Sequence, residues 1–257
     1  MPPPPRDPTA GRSLRSVPRI PVPREAAPPP RTAAARPPRP AAPARPSGPS
    51  LLTLVGWPVL ATLAVTLLRL TGELRGWNED YFSRLPGGGL AIVGITWLVP
   101  FVGAYLGWQL ARARVEAPDL ASLAGWPAAA LAVGLGIGYF LTAVVKPPAT
   151  GTFLLWAMVS VVVALMSIST WPALAKPLLA YALGARLPVM LVMWLGMRKG
   201  WGTHYDAIPP GFPFYGPLQR WLWTGLLPQA TIWVAFTLAV GTTFSAVGVY
   251  LASRKPH

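Results

Sequence analysis

The chain has no cysteine, only two histidines and only eight acidic residues. Without thiols there is no disulfide, no thiolate nucleophile, no iron–sulfur ligation and no cysteine zinc site. One of the two histidines is the terminal His257, which removes paired-histidine haem ligation as well. Also missing are the Walker A loop, G-x-S-x-G, H-E-x-x-H and the dinucleotide glycine fingerprint. Nucleotide hydrolysis, serine-type lipid hydrolysis, zincin proteolysis and Rossmann redox chemistry therefore lack their usual residues. No cofactor is expected.

Charge of either sign is scarce, 12% of residues against 53% apolar, which lies outside the range of ordinary soluble domains. What charge there is clusters at the start. Residues 1–50 hold nine arginines, two acids and 17 of the 33 prolines. Proline pairs hold the backbone extended and remove hydrogen-bond donors, so this stretch is expected to be a disordered Pro/Arg-rich tail. Its arginines would be drawn to anionic lipid headgroups or to an acidic partner. It has no aromatic residue on which a base could stack, and nucleic acid is not an expected partner.

From Ser50 onward uncharged runs cover 46–68, 85–111, 120–145, 147–175, 187–197 and 221–253. A bilayer core of about 30 Å needs roughly 20 helical residues. The pattern predicts an all-α, polytopic transmembrane bundle of about six spans, at 51–68, 89–110, 126–145, 152–169, 172–197 and 223–251. An even count puts both termini on one side, and the basic tail favours the cytoplasm. Arginine outnumbers lysine 18 to 4 in a chain rich in alanine, glycine and proline, the composition of a GC-rich bacterial genome. The expected location is thus a bacterial inner (plasma) membrane, with the lipid bilayer as solvent and an oligomer or membrane complex as a further possible setting.

Trp57-Pro58, Trp126-Pro127 and Trp171-Pro172 each fall near the start of an odd-numbered span, which predicts a tryptophan belt at one membrane face. Gly103 with Gly107, Gly134 with Gly138 and Gly241 with Ser245 are small residues four apart, the spacing at which helix backbones approach closely in lipid.

Arg186 falls halfway along the fifth span. A mid-membrane arginine costs roughly 2.5–3.5 kcal/mol to insert, so something must solvate it. No carboxylate lies inside a predicted span. Backbone carbonyls, water, a lipid phosphate or an anionic substrate remain as partners, or else the side chain snorkels to an interface. The second candidate is the loop after the fifth span. His204 and Asp206, two apart, would point the same way on extended backbone, as a catalytic pair or as two metal ligands, or else cap a turn. Arg198 and Lys199 beside them are weaker candidates for holding an anion. Glu73, Glu79 and Asp80, expected in the first loop, would share that face.

Three function classes follow. The leading one is a non-enzymatic, permease-like protein or accessory subunit with a polar pocket around Arg186. The second is an interfacial enzyme acting on a lipid or isoprenoid-linked phosphate through His204 and Asp206. The third is a membrane scaffold.

Overall fold

A computed structural model of the chain describes residues 49–89 and 91–254. The tail predicted over 1–50 thus lies almost wholly outside the described residues. Those residues form helices, with no strand. They are α1 (Leu51–Arg75), α2 (Leu98–Arg112), α3 (Leu120–Val145), α4 (Ala149–Thr170), α5 (Pro172–Lys199) and α6 (Pro217–Ser253). All except α2 are long and apolar enough to cross a membrane, which makes five. The connections before α2 and after α5 are long and the others short.

The helix ends carry local signals. Ser50 and Asp119 cap the N-termini of α1 and α3 by accepting from the backbone N–H groups of Thr53 and Ser122. Gly76 and Gly200 close α1 and α5 in left-handed conformation, at no steric cost to a residue without Cβ.

Four spans differ from those expected. The first span was expected to stop at Leu68, yet α1 runs on to Arg75, because its first charges, Arg69 and Glu73, pair across one helical turn. The second was expected from Gly89. Helix α2 begins only at Leu98, after a 3-10 turn at Ile95–Trp97. Gly87, Gly88 and Gly89 all take positive φ, and Ile92 and Val93 donate to the Asp80 and Tyr81 carbonyls, so the apolar stretch before α2 folds back as a loop. The third was expected from Trp126, but α3 begins at Leu120, behind the Asp119 cap. The sixth was expected from Trp223. Helix α6 starts at Pro217, passes through a π-helical stretch at Trp221–Leu226 and bends at Thr231. Pro228 explains the widened turn: it lacks an N–H, and its ring crowds the carbonyl four residues back.

Helix α6 is the centre of the bundle and packs on α2, α3, α4 and α5. The small-residue pairs make these contacts. A Cβ on Gly103 would lie 2.2 Å from the Gly241 carbonyl oxygen, and one on Gly107 would lie 2.4 Å from that of Ser245. Both indices rise together, so α2 and α6 run parallel. Gly134 and Gly138 instead face Val163 and Trp156 of α4, an antiparallel pairing set by the short connection after α3.

The tryptophan belt is only partly realised. Trp57 and Trp126 are exposed, at 73% and 63%, but Trp171 is buried and donates its ring N–H to the Glu116 carbonyl. The third tryptophan therefore pins the α2–α3 loop to the start of α5 and has no free face for headgroups.

Candidate functional site

The C-terminal ends of α1 and α5 meet at one end of the bundle, and their loops enclose a cavity of about 510 Å³. Its lining includes Arg69, Arg186, His204, Tyr205, Gln229 and Trp233, and no carboxylate among the described residues.

Glu73 organises one wall. It is fully buried in the last turn of α1, the only ion-paired acid among the described residues. One carboxylate oxygen accepts from Arg69 Nε at 2.8 Å and lies 2.5 Å from His204 Nδ1. The other accepts the His204 backbone N–H at 2.8 Å. Arg69 uses its remaining donors on the loop before α2, to the carbonyls of Val93, Ser83 and Gly88. A Cβ on Gly88 would come within 2.7 Å of the Arg69 guanidinium, so this glycine with φ of 83° lets the loop close around it. Arg69 thus spends four of its five N–H donors within the fold.

His204 lies in the loop after α5. Since Nδ1 faces the Glu73 carboxylate, that nitrogen carries the proton and Nε2 is the acceptor in the neutral ring. Nε2 has no hydrogen-bond partner among the described residues, in a side chain that lines the cavity. Burial holds the imidazole below its usual value, against the pull of the Glu73 hydrogen bond, and the Arg69 charge acts with burial. The Tyr205 ring is tilted against that of His204, with centroids 3.8 Å apart, and its hydroxyl donates to the Thr66 carbonyl. Burial, with the Glu73 charge, pushes its phenol up.

Arg186 stands apart from this network. It is 3% exposed on α5, and Nη1 reaches only the amide oxygen of Gln229, at 3.4 Å. Its Nε is buried without a partner, and its charge lies 5.1 Å from the centre of the Trp233 ring. A guanidinium keeps its charge even when buried. The bend and π-helical stretch of α6 bring Gln229 and Trp233 to it, while Thr224 and Pro228 from the same stretch line the cavity. The Arg186 side chain thus lies inside the bundle and does not extend over its surface.

Of the two arrangements open to His204 and Asp206, a direct pair or a turn cap, the pair is not formed. The chain turns between them, and Asp206 accepts from the backbone N–H groups of Gly202 and Thr203 and from the Thr203 hydroxyl. It caps a turn. Arg198 and Lys199 are exposed, Arg198 lies over the Trp194 ring, and neither lines the cavity. Glu79 and Asp80 are exposed in the first loop. Nowhere among the described residues do three His, Asp or Glu side chains gather as metal ligands would.

Sequence reasoning missed Glu73 as the partner of His204, and Arg69 altogether. The available signal was the Arg69-x-x-x-Glu73 spacing, which lets two charges share a helix face and continue it. Comparisons with protein-family models, with curated proteins and with solved structures give no match, so the functional reading rests on this geometry.

Proposed function

We propose that the chain is a six-crossing integral membrane protein, permease-like or an accessory subunit, whose cavity holds an oxyanion against Arg186. The observation that carries this is the contrast between two buried arginines. Arg69 has four of its five donors engaged by a carboxylate and three carbonyls, whereas Arg186 makes one long hydrogen bond and leaves Nε bare. A buried cation with free donors in a cavity without carboxylates is built for an anion. The ligand class is an oxyanion, borne by a small solute or by a lipid headgroup.

Six crossings require α2 to span. Its 15 residues cover about 22 Å at 1.5 Å per residue, and the preceding 3-10 turn adds about 6 Å. The parallel run of α2 and α6, with three helices between them, supports this topology. The arginine excess in residues 1–50 supports cytoplasmic termini in a bacterial inner membrane.

Thermal unfolding of the detergent-solubilised protein with added sulfate tests the pocket. Sulfate is expected to raise the melting temperature of the wild type. Arg186→Leu removes a costly buried charge, so its own melting temperature should equal or exceed that of the wild type, with the sulfate response gone. An unchanged sulfate response in Arg186→Leu would refute the assignment.

One observation favours a second reading. An imidazole oriented by a buried carboxylate, with its other nitrogen free in a cavity, is the arrangement of a general base. An interfacial enzyme acting on a lipid-linked phosphate would use Glu73 and His204 in place of His204 and Asp206. Loss of turnover in both Glu73→Gln and His204→Asn, with Asp206→Ala active, would establish it.

A further inference from the structure

We infer that the cavity binds its oxyanion together with a proton, which is held on Nε2 of His204. The inference rests on the oxyanion reading above and adds the second species. Its basis is the placement of one imidazole between the carboxylate behind it and the oxyanion cavity in front of it.

The charged and titratable groups around His204 come from several elements; Arg84, before α2, binds the Glu73 backbone carbonyl. Helix α1 supplies Glu73 at 2.5 Å from Nδ1 and Arg69, itself bound to Glu73. Its own loop supplies Tyr205, in ring contact, and Asp206, turned away to cap Gly202 and Thr203. Helix α5 supplies Arg186 on the cavity lining, and α6 supplies the uncharged Gln229. In the empty cavity Glu73 is shared between Arg69 and His204, and burial and the Arg69 charge oppose a second cation there. The imidazole stays neutral under that balance.

An oxyanion at Arg186 changes the balance. It neutralises one guanidinium and places negative charge on the cavity side of the ring. The imidazole then lies between two anions, and a proton from bulk water adds to Nε2. The imidazolium donates Nδ1–H to Glu73 and Nε2–H toward the bound anion. No bond other than that N–H is formed, and the pair enters as one anion and one proton. Ligand binding and protonation each favour the other by the same factor, because the coupling is reciprocal.

Calorimetric titration of the full-length protein between pH 6 and 8 tests this, with sulfate as the soluble probe. Nanodiscs containing phosphatidylglycerol, compared with phosphatidylcholine, form the lipid arm. Neither sulfate nor a phosphodiester titrates in this range, so any pH dependence belongs to the protein. Affinity is expected to weaken as pH rises, approaching about tenfold per unit where one full proton is coupled. Titration in buffers of different ionisation heat should show uptake of up to one proton. His204→Asn keeps a donor for Glu73 and removes the titrating nitrogen, so it should bind more weakly, with pH-independent affinity and no proton uptake. Glu73→Gln should reduce the uptake. The arm that shows the slope identifies the source of the anion as solute or lipid headgroup. Binding without proton uptake in the wild type, or the same slope in His204→Asn, would overturn the coupling and leave the pocket intact. Failure of every probe to bind would overturn both.

Discussion

Glu73 and Asp206 are both carboxylates engaged by hydrogen bonds, yet burial separates what they do. Glu73 is fully buried and satisfies an arginine, an imidazole and a backbone N–H at once, so it joins α1 to the loop after α5. Its removal strands the Arg69 charge in the interior. Breaking a buried pair from one side costs about 3–5 kcal/mol. Asp206 closes a single turn, and loss of a cap of that kind costs about 0.5–2 kcal/mol. Glu73→Ala is therefore expected to unfold at a markedly lower temperature than Asp206→Ala, and to lose ligand response that Asp206→Ala retains. Equal effects of the two would mean that the Glu73 contacts do not organise the site. Of the candidate residues, Arg186 and His204 were legible in the sequence, one as a charge inside an apolar run and the other as the only non-terminal histidine. Their partners were not. Glu73 and Gln229 lie 131 and 43 residues away, and no local pattern encodes such contacts.

At the scale of elements, long uncharged runs and small residues four apart carried most of the fold. Gly103, Gly107, Gly241 and Ser245 do meet at one helix pair. What the apolar runs could not reveal was which stretches of equal hydropathy fail as helix. The stretch from Gly89 to Gly94 is as apolar as its neighbours, but positive-φ glycines and the grip of Arg69 on the Ser83, Gly88 and Val93 carbonyls turn it into a wall of the cavity. The consequence is a short α2, on whose crossing the six-span topology depends. Single cysteines at the exposed positions Glu79, Ala121 and Tyr215 test that crossing, in a chain with no native thiol. With an impermeant thiol reagent on intact cells, Glu79→Cys and Tyr215→Cys are expected to label and Ala121→Cys is not. Labelling of Glu79→Cys and Ala121→Cys without Tyr215→Cys would show that α2 does not cross, and labelling of Ala121→Cys alone would reverse the orientation.

At the scale of the bundle, the buried charges of the described residues, Arg69, Glu73 and Arg186, lie in or beside one cavity. There, Arg69, Glu73, His204, Tyr205, Arg186 and Gln229 are assembled from α1, α5, α6 and one loop. The other end of the bundle has an apolar groove rimmed by Trp108, Tyr105 and Arg254. Bundle assembly alone does not call for an unpaired guanidinium beside a cavity, since apolar packing of α5 on α6 would be more stable. The central claim is that this guanidinium holds an oxyanion. Selenate carries the same charge and shape as sulfate and scatters X-rays anomalously, so its position can be read directly from crystals grown in its presence. The expected result is a selenium peak inside the cavity within hydrogen-bond distance of the Arg186 guanidinium, absent in Arg186→Leu. Selenium found only at exposed arginines such as Arg112 or Arg254, with the cavity vacant, would contradict the account.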